Sequence, residues 1–433
     1  HDHVAGRKES LQFLRSDPGN DFRVAGFAEA QWSNGWNLWR IPGIYGWNPI
    51  MLRRYQEYIR QFTHSAGYAQ PYAGPGQPDH SLGSPMLDLL GVKYLVVTRK
   101  VEEQQRLTES SQFERVFSDL DWWKIYRNKN YLPGTWFFPS AYVLPDTPSE
   151  LAFMNSRWFQ PRQSLLIARE HLNNRTLPQA QELDTISIHA DQVAASSRGQ
   201  AVSDSDCAEP RSKFAYWGGK GNWIRFEVAG PKDAGRYLLL LEYATADANP
   251  SLMAEVTQGN RKQVSGPVKL PRSWDWNCKS TRSIELGEFE IAPGTNQLSL
   301  THAGDVGVDV FSLRLVRLPE TKARRGEDFS FHDFDVSANR VSFEARLRQD
   351  GYVFLNEIHY PGWTATVDGE PAEILRADAI FRALWVPAGS HRVEFRFWPR
   401  FLIPGAAISL ATLAAVGLAL AASRPSSSER RAL

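Results

Sequence analysis

The apolar and polar positions of the first 145 residues predict a mixture of helices and strands. Apolar and polar residues alternate across residues 22–27, which is typical of a strand, whereas residues 49–62 keep apolar and aromatic side chains at helical spacing. Residues 85–98 predict a short helix, a stop at Gly91 and a buried strand, and three more strands follow. We therefore expect an N-terminal α/β unit over residues 1–145.

The pattern changes twice in the middle of the chain. Residues 146–185 carry polar helical patterns and predict a helical connector. Over residues 186–318, short strands alternate with turn residues at close spacing, which predicts a β-sandwich. Further strands over residues 329–398, with a hairpin turn at Asp368 and Gly369, predict a second, smaller β-sandwich.

Residues 401–422 are apolar throughout and contain no charged side chain. A helix of ~20 apolar residues matches the ~30 Å hydrocarbon core of a bilayer, so we expect a transmembrane helix rather than a buried core helix. Trp398 and Arg400 precede it, and residues 423–433 follow as a polar tail with three arginines. The tail is expected to be cytoplasmic, which places the bulk of the chain on the exoplasmic side, periplasmic or extracellular.

The composition narrows the choice of partners. The 433 residues include 49 Lys and Arg against 48 Asp and Glu, so no strong positive field attracts nucleic acid. The 15 Trp residues favour either sugar-binding faces or large sandwich cores. The sequence begins at His1 without a signal peptide, so we expect either a removed start or a piece of a longer protein.

Few residues have the spacing of known catalytic or metal sites. The chain lacks G-x-S-x-G, a glycine-rich phosphate loop and H-E-x-x-H, and we expect no catalytic residue, no metal and no cofactor. Three D-x-D triplets could hold a divalent cation, but we interpret them as solvated turns. The triplets are Asp119 and Asp121, Asp204 and Asp206, and Asp333 and Asp335.

The two cysteines, Cys207 and Cys278, fit an extracytoplasmic chain with one disulfide, and two thiols do not make a metal site.

Five aromatic residues of an N-terminal loop have two possible roles: lining a groove for a glycan or polyprenyl acceptor, or packing the loop itself. These aromatic residues are Trp32, Trp36, Trp39, Tyr45 and Trp47.

The segments WGGKGNWIRFEV, AGRYLLLLEYA, SWDWNC and DVGVDVFSLRLV resemble carbohydrate-binding modules of families 6 and 35. The resemblance covers about residues 186–318 and implies a jelly-roll sandwich that binds its ligand across loops at one end. It implies a sugar site with aromatic faces and polar partners, namely Trp217, Trp274, Trp276, Asp305 and Asp309. The alternative is a purely structural sandwich whose aromatic residues fill the core.

A second resemblance covers the flanking regions. GIYGWNPIMLRRYQEYI, MLDLLGVKYLVV and above all YPGWTATVDG at residues 360–369 resemble the C-terminal exoplasmic part of bacterial YfhO-type membrane proteins. Those proteins are similar to GT-C glycosyltransferases, which use lipid-linked sugar donors. The match spans about residues 20–170 and 329–422. The central sandwich looks inserted and the multi-span catalytic body is missing, so no catalytic residue can be transferred.

Together these features predict a mixed, mainly β chain: an N-terminal α/β unit, a jelly-roll sandwich, a second smaller sandwich and one C-terminal transmembrane helix. The resemblances imply an exoplasmic accessory portion that positions substrate for a GT-C-like glycosyltransferase of cell-envelope glycans. Its expected partners are a carbohydrate or lipid-linked sugar and the cell membrane. The alternatives are a membrane-tethered carbohydrate-binding protein and a non-catalytic envelope scaffold.

Overall fold

The computed structural model describes residues 8–19, 22–26, 39–44, 52–62, 83–98, 107, 110–119, 123–207, 210–273, 275–320 and 325–422. The described chain is mainly β, with several sheets and one apolar C-terminal helix, which confirms the predicted fold class. Its α-helices are α1 (Lys8–Arg15), α2 (Arg53–Arg60), α3 (Pro85–Leu89), α4 (Thr147–Met154) and α5 (Leu402–Ala422).

The N-terminal sheet has the strand order β1-β2-β4-β3, with β1 parallel to β2 and the other pairs antiparallel. Both faces of β2 are buried. Leu95 and Val97 pack into the largest core among the described residues, whereas Tyr94 and Val96 pack into a smaller one beneath α1. This explains the unbroken apolar run of β2. The strands are β1 (Arg23–Gly26), β2 (Val92–Thr98), β3 (Phe113–Ser118) and β4 (Trp123–Asn128).

A seven-stranded sheet combines strands from both ends of the chain in the order β5-β22-β26-β25-β7-β6-β8. Residues 135–182 therefore supply four strands to a sheet completed by residues 351–386. The strands are β5 (Thr135–Phe138), β6 (Ala141–Leu144), β7 (Leu166–Ala168), β8 (Ala180–Glu182), β22 (Gly351–Ile358), β25 (Leu375–Ala377) and β26 (Phe381–Val386).

The second half of the predicted helical connector is not helical. Residues 147–154 form α4, but residues 166–168 form β7 and only Arg169–His171 make a short 3₁₀ turn. Because β7 lies between β25 and β6, all four side chains from Leu165 to Ala168 are buried. A fully buried strand has no polar face, and its apolar run is easily mistaken for one side of a helix.

A five-stranded sheet packs against the seven-stranded one, in the order β20-β21-β27-β23-β24. Phe343 and Phe395 of this sheet share a core with Val353 and Leu384 of the other, so the two form the terminal sandwich. The strands are β20 (Phe329–Ser337), β21 (Arg340–Leu347), β23 (Trp363–Val367), β24 (Glu370–Ala372) and β27 (Gly389–Phe397). The predicted hairpin turn between β23 and β24 is confirmed, with φ of 54° at Asp368 and 86° at Gly369.

The central sandwich consists of strands β9 to β19. One sheet has the order β10-β13-β18-β15-β16, and the other has the order β11-β12-β19-β14-β17 with β9 added beside β19. Because β9 and β19 are antiparallel neighbours, this unit begins and ends at one place. The strands are β9 (Thr185–His189), β10 (Val193–Ser196), β11 (Gln200–Asp204), β12 (Arg211–Ala215), β13 (Trp223–Ala229), β14 (Gly235–Ala244), β15 (Ser251–Gln258), β16 (Arg261–Lys269), β17 (Arg282–Ile291), β18 (Thr295–His302) and β19 (Asp309–Arg317).

The larger sheet of the central sandwich is buried on both faces. Leu239 and Leu241 of β14 point into the sandwich core, whereas Leu238 and Leu240 join the core shared with the N-terminal region and the terminal sandwich. The Arg157 side chain adds ion pairs of 3.0 Å and 2.7 Å to Glu285 and Glu288 of β17. The central sandwich is therefore docked as an integral part of the molecule.

Helix α5 leaves the terminal sandwich directly after β27. The Trp398 N–H donates to the Gly362 carbonyl oxygen at 2.9 Å, and the helix begins four residues later at Leu402. Its side chains are exposed along its whole length, and it is the one helix among the described residues that is long and apolar enough to cross a bilayer.

Candidate functional site

Four loops of the central sandwich meet around Gly307. The Gly307 N–H donates to Asp247 Oδ2 at 2.9 Å, and its carbonyl oxygen accepts from Thr245 Oγ1 at 2.9 Å, which ties the β18–β19 loop to the β14–β15 loop. A β-carbon on Gly218 would lie 2.8 Å from the Gly307 Cα, and one on Gly307 would lie 3.3 Å from Cη2 of Trp276. The β12–β13 and β16–β17 loops thus complete the cluster.

Trp217 anchors the β12–β13 loop from inside the central sandwich. Its side chain is fully buried, its Nε1–H donates to the Val308 carbonyl oxygen at 2.7 Å, and its ring lies 4.1 Å from that of His302. Burial lowers the pKa of His302 to about 4, so this ring is neutral. Trp217 therefore presents no face to a ligand, contrary to the role that the sequence suggested for it.

Tyr216, which the sequence did not single out, precedes the buried Trp217 in the β12–β13 loop. It is 70% exposed and adopts a left-handed backbone with φ of 63°. This left-handed conformation turns Tyr216 outward between Ala215 and Trp217, whose side chains are both buried. Strand alternation could not have identified it, because Phe214 and Ala215 before it are both buried.

Trp276 is half-buried in the same loop cluster. Its carbonyl oxygen accepts from Lys213 Nζ at 2.5 Å, and its N–H donates to Asp275 Oδ1 at 2.7 Å. These bonds fix the backbone on both sides of the ring. Trp274 lies outside the described residues.

The two predicted acidic partners differ in environment. Asp309 is 6% exposed and forms an ion pair of 3.0 Å with Lys213 Nζ; burial raises the pKa of its carboxyl, and Lys213 opposes that shift. Asp305 is exposed, and its Oδ1 accepts from the Lys220 N–H at 3.3 Å. Asp305 can therefore meet a ligand, whereas Asp309 supports the loops from within.

Cys207 and Cys278 form a disulfide with a Cα–Cα distance of 5.8 Å. Beside it, Asp204 Oδ2 accepts from the Cys278 N–H at 3.0 Å and lies 3.8 Å from Lys213 Nζ. The disulfide and this carboxylate hold the Trp276 segment against the end of β11, and both sulfur atoms are committed to the covalent bond.

The D-x-D triplets are not simple solvated turns. Asp204 and Asp119 are both buried at 5% exposure, and Asp119 accepts from Ser10 Oγ at 2.9 Å and from the Trp123 N–H at 2.8 Å. Asp121 lies outside the described residues. Asp333 and Asp335 are exposed, but they lie on β20 and not in a turn, and Asp335 pairs with Arg340 at 3.0 Å.

Of the five N-terminal aromatic residues, the structure describes Trp39. Trp39 is partly buried and packs against the small core beneath α1. The other four, Trp32, Trp36, Tyr45 and Trp47, lie outside the described residues.

Part of the chain is similar to several solved carbohydrate-binding modules. The C-terminal CBM6 of LamC from Zobellia galactanivorans is 19% identical over 31% of this chain and 100% of that one, with a TM-score of 0.26. A CBM6 from Cellvibrio mixtus lichenase 5A in complex with cellotriose is 16% identical over 31% and 98%, with a TM-score of 0.26. A family 35 module from Clostridium thermocellum is 17% identical over 30% and 97%, with a TM-score of 0.26.

No curated protein matches the sequence significantly. The family described as "Bacterial membrane protein YfhO" matches residues 83–409, about three quarters of the chain. The matched range includes the complete central and terminal sandwiches and extends into the first turns of α5. The chain therefore belongs to the YfhO family of bacterial membrane proteins.

Proposed function

We propose that this chain is the exoplasmic accessory portion of a GT-C-like membrane glycosyltransferase that acts on cell-envelope glycans. In this proposal it binds and positions a carbohydrate substrate, while the chemistry takes place in a membrane body outside these residues. Membership of a membrane-protein family supports the membrane setting, and the apolar helix α5 supports direct attachment to the bilayer.

The observation that carries the proposal is the pair of aromatic residues on the loops around Gly307. Tyr216 is 70% exposed and Trp276 is half-buried on a neighbouring loop, with the exposed carboxylate of Asp305 on a third. Aromatic faces cover the C–H side of a pyranose ring, and a carboxylate accepts hydrogen bonds from its hydroxyls. Such a combination of aromatic faces and a carboxylate suits a sugar.

The docking of the central sandwich supports positioning rather than loose tethering. Its larger sheet is packed on both faces, and the Gln61 side chain of the N-terminal region accepts from the Ser283 N–H at 3.0 Å. A module on a flexible linker would sample many positions, whereas a docked one keeps its loops at a set distance from α5. A bound glycan would therefore be held at a defined height above the membrane.

The proposed topology places both sandwiches outside the cell and residues 423–433 in the cytoplasm. The disulfide supports this arrangement because disulfides persist in oxidising, extracytoplasmic compartments. The arginines of the tail are the cationic flank expected on the cytoplasmic side.

The test is an array of bacterial envelope glycans probed with the complete chain in an uncharged detergent. We expect binding of at least one glycan class, lost in the Tyr216→Ala, Trp276→Ala double variant and kept in Phe334→Ala. Phe334 is a matched control because it is exposed on β20 of the terminal sandwich, away from these loops. An array without hits would refute substrate positioning and favour the scaffold.

A further inference from the structure

A second polar cluster lies in the terminal sandwich, away from the loops around Gly307. It brings together Arg54 of α2, His171 of the turn after β7, His359 after β22 and Arg376 of β25. Arg376 Nη2 lies 3.3 Å from His171 Nδ1 and donates to Thr147 Oγ1 at 2.8 Å. Arg54 Nη2 donates to the carbonyl oxygen of His359. Residues far apart in sequence thus converge on one place.

Three nitrogen atoms of this cluster are buried without a hydrogen-bond partner among the described residues. They are Nε of Arg54, Nε of Arg376 and Nδ1 of His359. A buried donor without an acceptor costs free energy, so several together at one place need an explanation. An oxyanion that accepts from more than one of them would supply it.

The acidic residues nearby do not neutralise the cluster. Glu170 Oε1 lies 3.6 Å from Arg376 Nη2, but Glu57 is paired with Arg53 at 2.8 Å. Glu150 is fully buried, and burial, assisted by Asp378, raises its pKa well above the usual range, so it is neutral. Among the described residues, Glu170 is therefore the one ionised carboxylate within 4 Å of these two guanidinium groups, while Glu57 acts on Arg376 from farther away.

The pKa of His359 is lowered in part by this positive potential. Burial first, and then the charges of Arg54, Arg376 and Arg382, lower its pKa to about 4. An excess of positive charge at a partly buried position is the electrostatic condition for binding an anion.

The cluster also lies near the start of the membrane helix. Tyr360, next to His359, packs its ring 6.2 Å from that of Phe397 at the end of β27. Helix α5 begins five residues later at Leu402, so it starts within about 20 Å of this ring at ~3.5 Å per residue. Trp398 and Phe401 between them are exposed, as expected at the interfacial level where lipid phosphates lie.

We propose that Arg54, His359 and Arg376 form a binding site for the phosphate group of a membrane lipid, with His171 holding Arg376 in place through its Nδ1. Guanidinium groups bind phosphate through planar, charge-assisted hydrogen bonds, and the site's proximity to α5 favours a lipid over a free ion as its source. This inference depends on the membrane orientation in the proposed function but not on sugar binding. A phosphate held here would also fix the height of the terminal sandwich above the bilayer.

The test is calorimetric titration of the complete chain in an uncharged detergent with dihexanoyl phosphatidic acid. Dihexanoylglycerol, which lacks the phosphate, and inorganic phosphate are titrated in parallel. We expect the phosphatidic acid to bind about tenfold or more tightly than either comparison ligand. Equally tight binding of inorganic phosphate would overturn the lipid assignment, and equally tight binding of dihexanoylglycerol, or no binding of phosphatidic acid, would overturn the site.

Matched variants connect the affinity to these residues. Arg54→Gln should weaken phosphatidic acid binding about tenfold, and Arg54→Lys, which keeps the charge but loses the planar fork, should lie between Arg54→Gln and wild type. Arg348→Gln is the control because Arg348 is exposed and paired with Asp328 elsewhere on the terminal sandwich. An equal loss in Arg348→Gln would contradict a defined site. Melting temperatures check that each variant is folded.

The two proposals can fail separately. Tyr216→Ala should leave lipid affinity unchanged, and Arg54→Gln should leave glycan binding unchanged. Loss of glycan binding in Arg54→Gln with an unchanged melting temperature would contradict two independent sites.

Discussion

Asp378 shows how a single buried carboxyl makes stability depend on pH. It is fully buried, and its Oδ1 accepts from the Leu166 N–H at 2.9 Å, which joins β25 to β7. Burial raises its pKa from an ordinary value of 3.8 to about 8, with the bond from Leu166 opposing the shift. Between these two values the folded state binds a proton that the unfolded state releases.

The folded chain should therefore lose stability as pH rises from about 4 to about 8. Asp378→Asn removes the titrating group and should make the melting temperature less dependent on pH across this window. Thermal unfolding in detergent between pH 5 and pH 8 measures both slopes. Asp333→Asn is the control because Asp333 is exposed, and its slope should match wild type. An unchanged slope in Asp378→Asn would show that other groups dominate.

Although Tyr216 and Trp217 are neighbours, substituting the first should change glycan affinity and substituting the second should change stability. Tyr216→Ala should weaken glycan binding roughly 5- to 30-fold, since losing an aromatic face costs about 1–2 kcal/mol, while stability stays nearly constant. Trp217→Ala should cost about 3–5 kcal/mol of stability because it empties a fully buried site. Glycan affinity and urea unfolding measure the two effects. The opposite pattern would refute the assignment of the exposed ring to the ligand.

The sequence could predict which residue types form the candidate site but not which faces they present. The aromatic loops and the disulfide cysteines have local signatures, yet Asp309 is internal because Lys213 on another strand reaches it. That pairing depends on β12 and β19 being adjacent, and adjacency is decided by the whole fold. The sequence could not predict the cluster of Arg54, His359 and Arg376 for the same reason, since the fold brings these residues together.

At the scale of elements, a continuous apolar run does not show by itself which core each of its faces joins, or whether it is a strand or a helix. The run from Leu238 to Leu241 predicted a strand, but not that its two faces belong to different cores. The segment at residues 163–172 has a helical pattern, but β7 within it pairs with β6 nearby and with β25, which lies more than two hundred residues away. Turns with local chemistry, such as that at Asp368 and Gly369, were predicted correctly because glycine tolerates a positive φ there.

Strand β14 offers a matched test of how the central sandwich is docked. Leu240 and Leu241 are both fully buried, but Leu240 faces the shared core and Leu241 the sandwich core. Each Leu→Ala substitution should cost about 2–5 kcal/mol. Only Leu240→Ala should also accelerate hydrogen exchange in α4, which packs on β14 and β17. Equal acceleration of α4 in both variants would indicate that the two cores unfold as one unit.

On the scale of the whole molecule, the arrangement links the two proposed sites to the apolar helix α5. The terminal sandwich draws strands from both sides of the central one, so neither can move freely while the seven-stranded sheet is intact. Since α5 follows β27 after four residues, a bilayer spanned by α5 would hold the terminal sandwich and, through the shared core, the loops around Gly307. The proposed function therefore depends on the orientation of α5 in the bilayer.

That orientation can be measured because both native cysteines are in the disulfide and no thiol is left to react. Ser427→Cys adds a thiol to the tail, and Ser337→Cys adds one at the exposed end of β20. In intact spheroplasts, a membrane-impermeant maleimide should label Ser337→Cys at once and Ser427→Cys only after permeabilisation. The reverse pattern would place both sandwiches in the cytoplasm and remove the basis for an exoplasmic glycan, while labelling of both in intact cells would show that α5 does not span the bilayer.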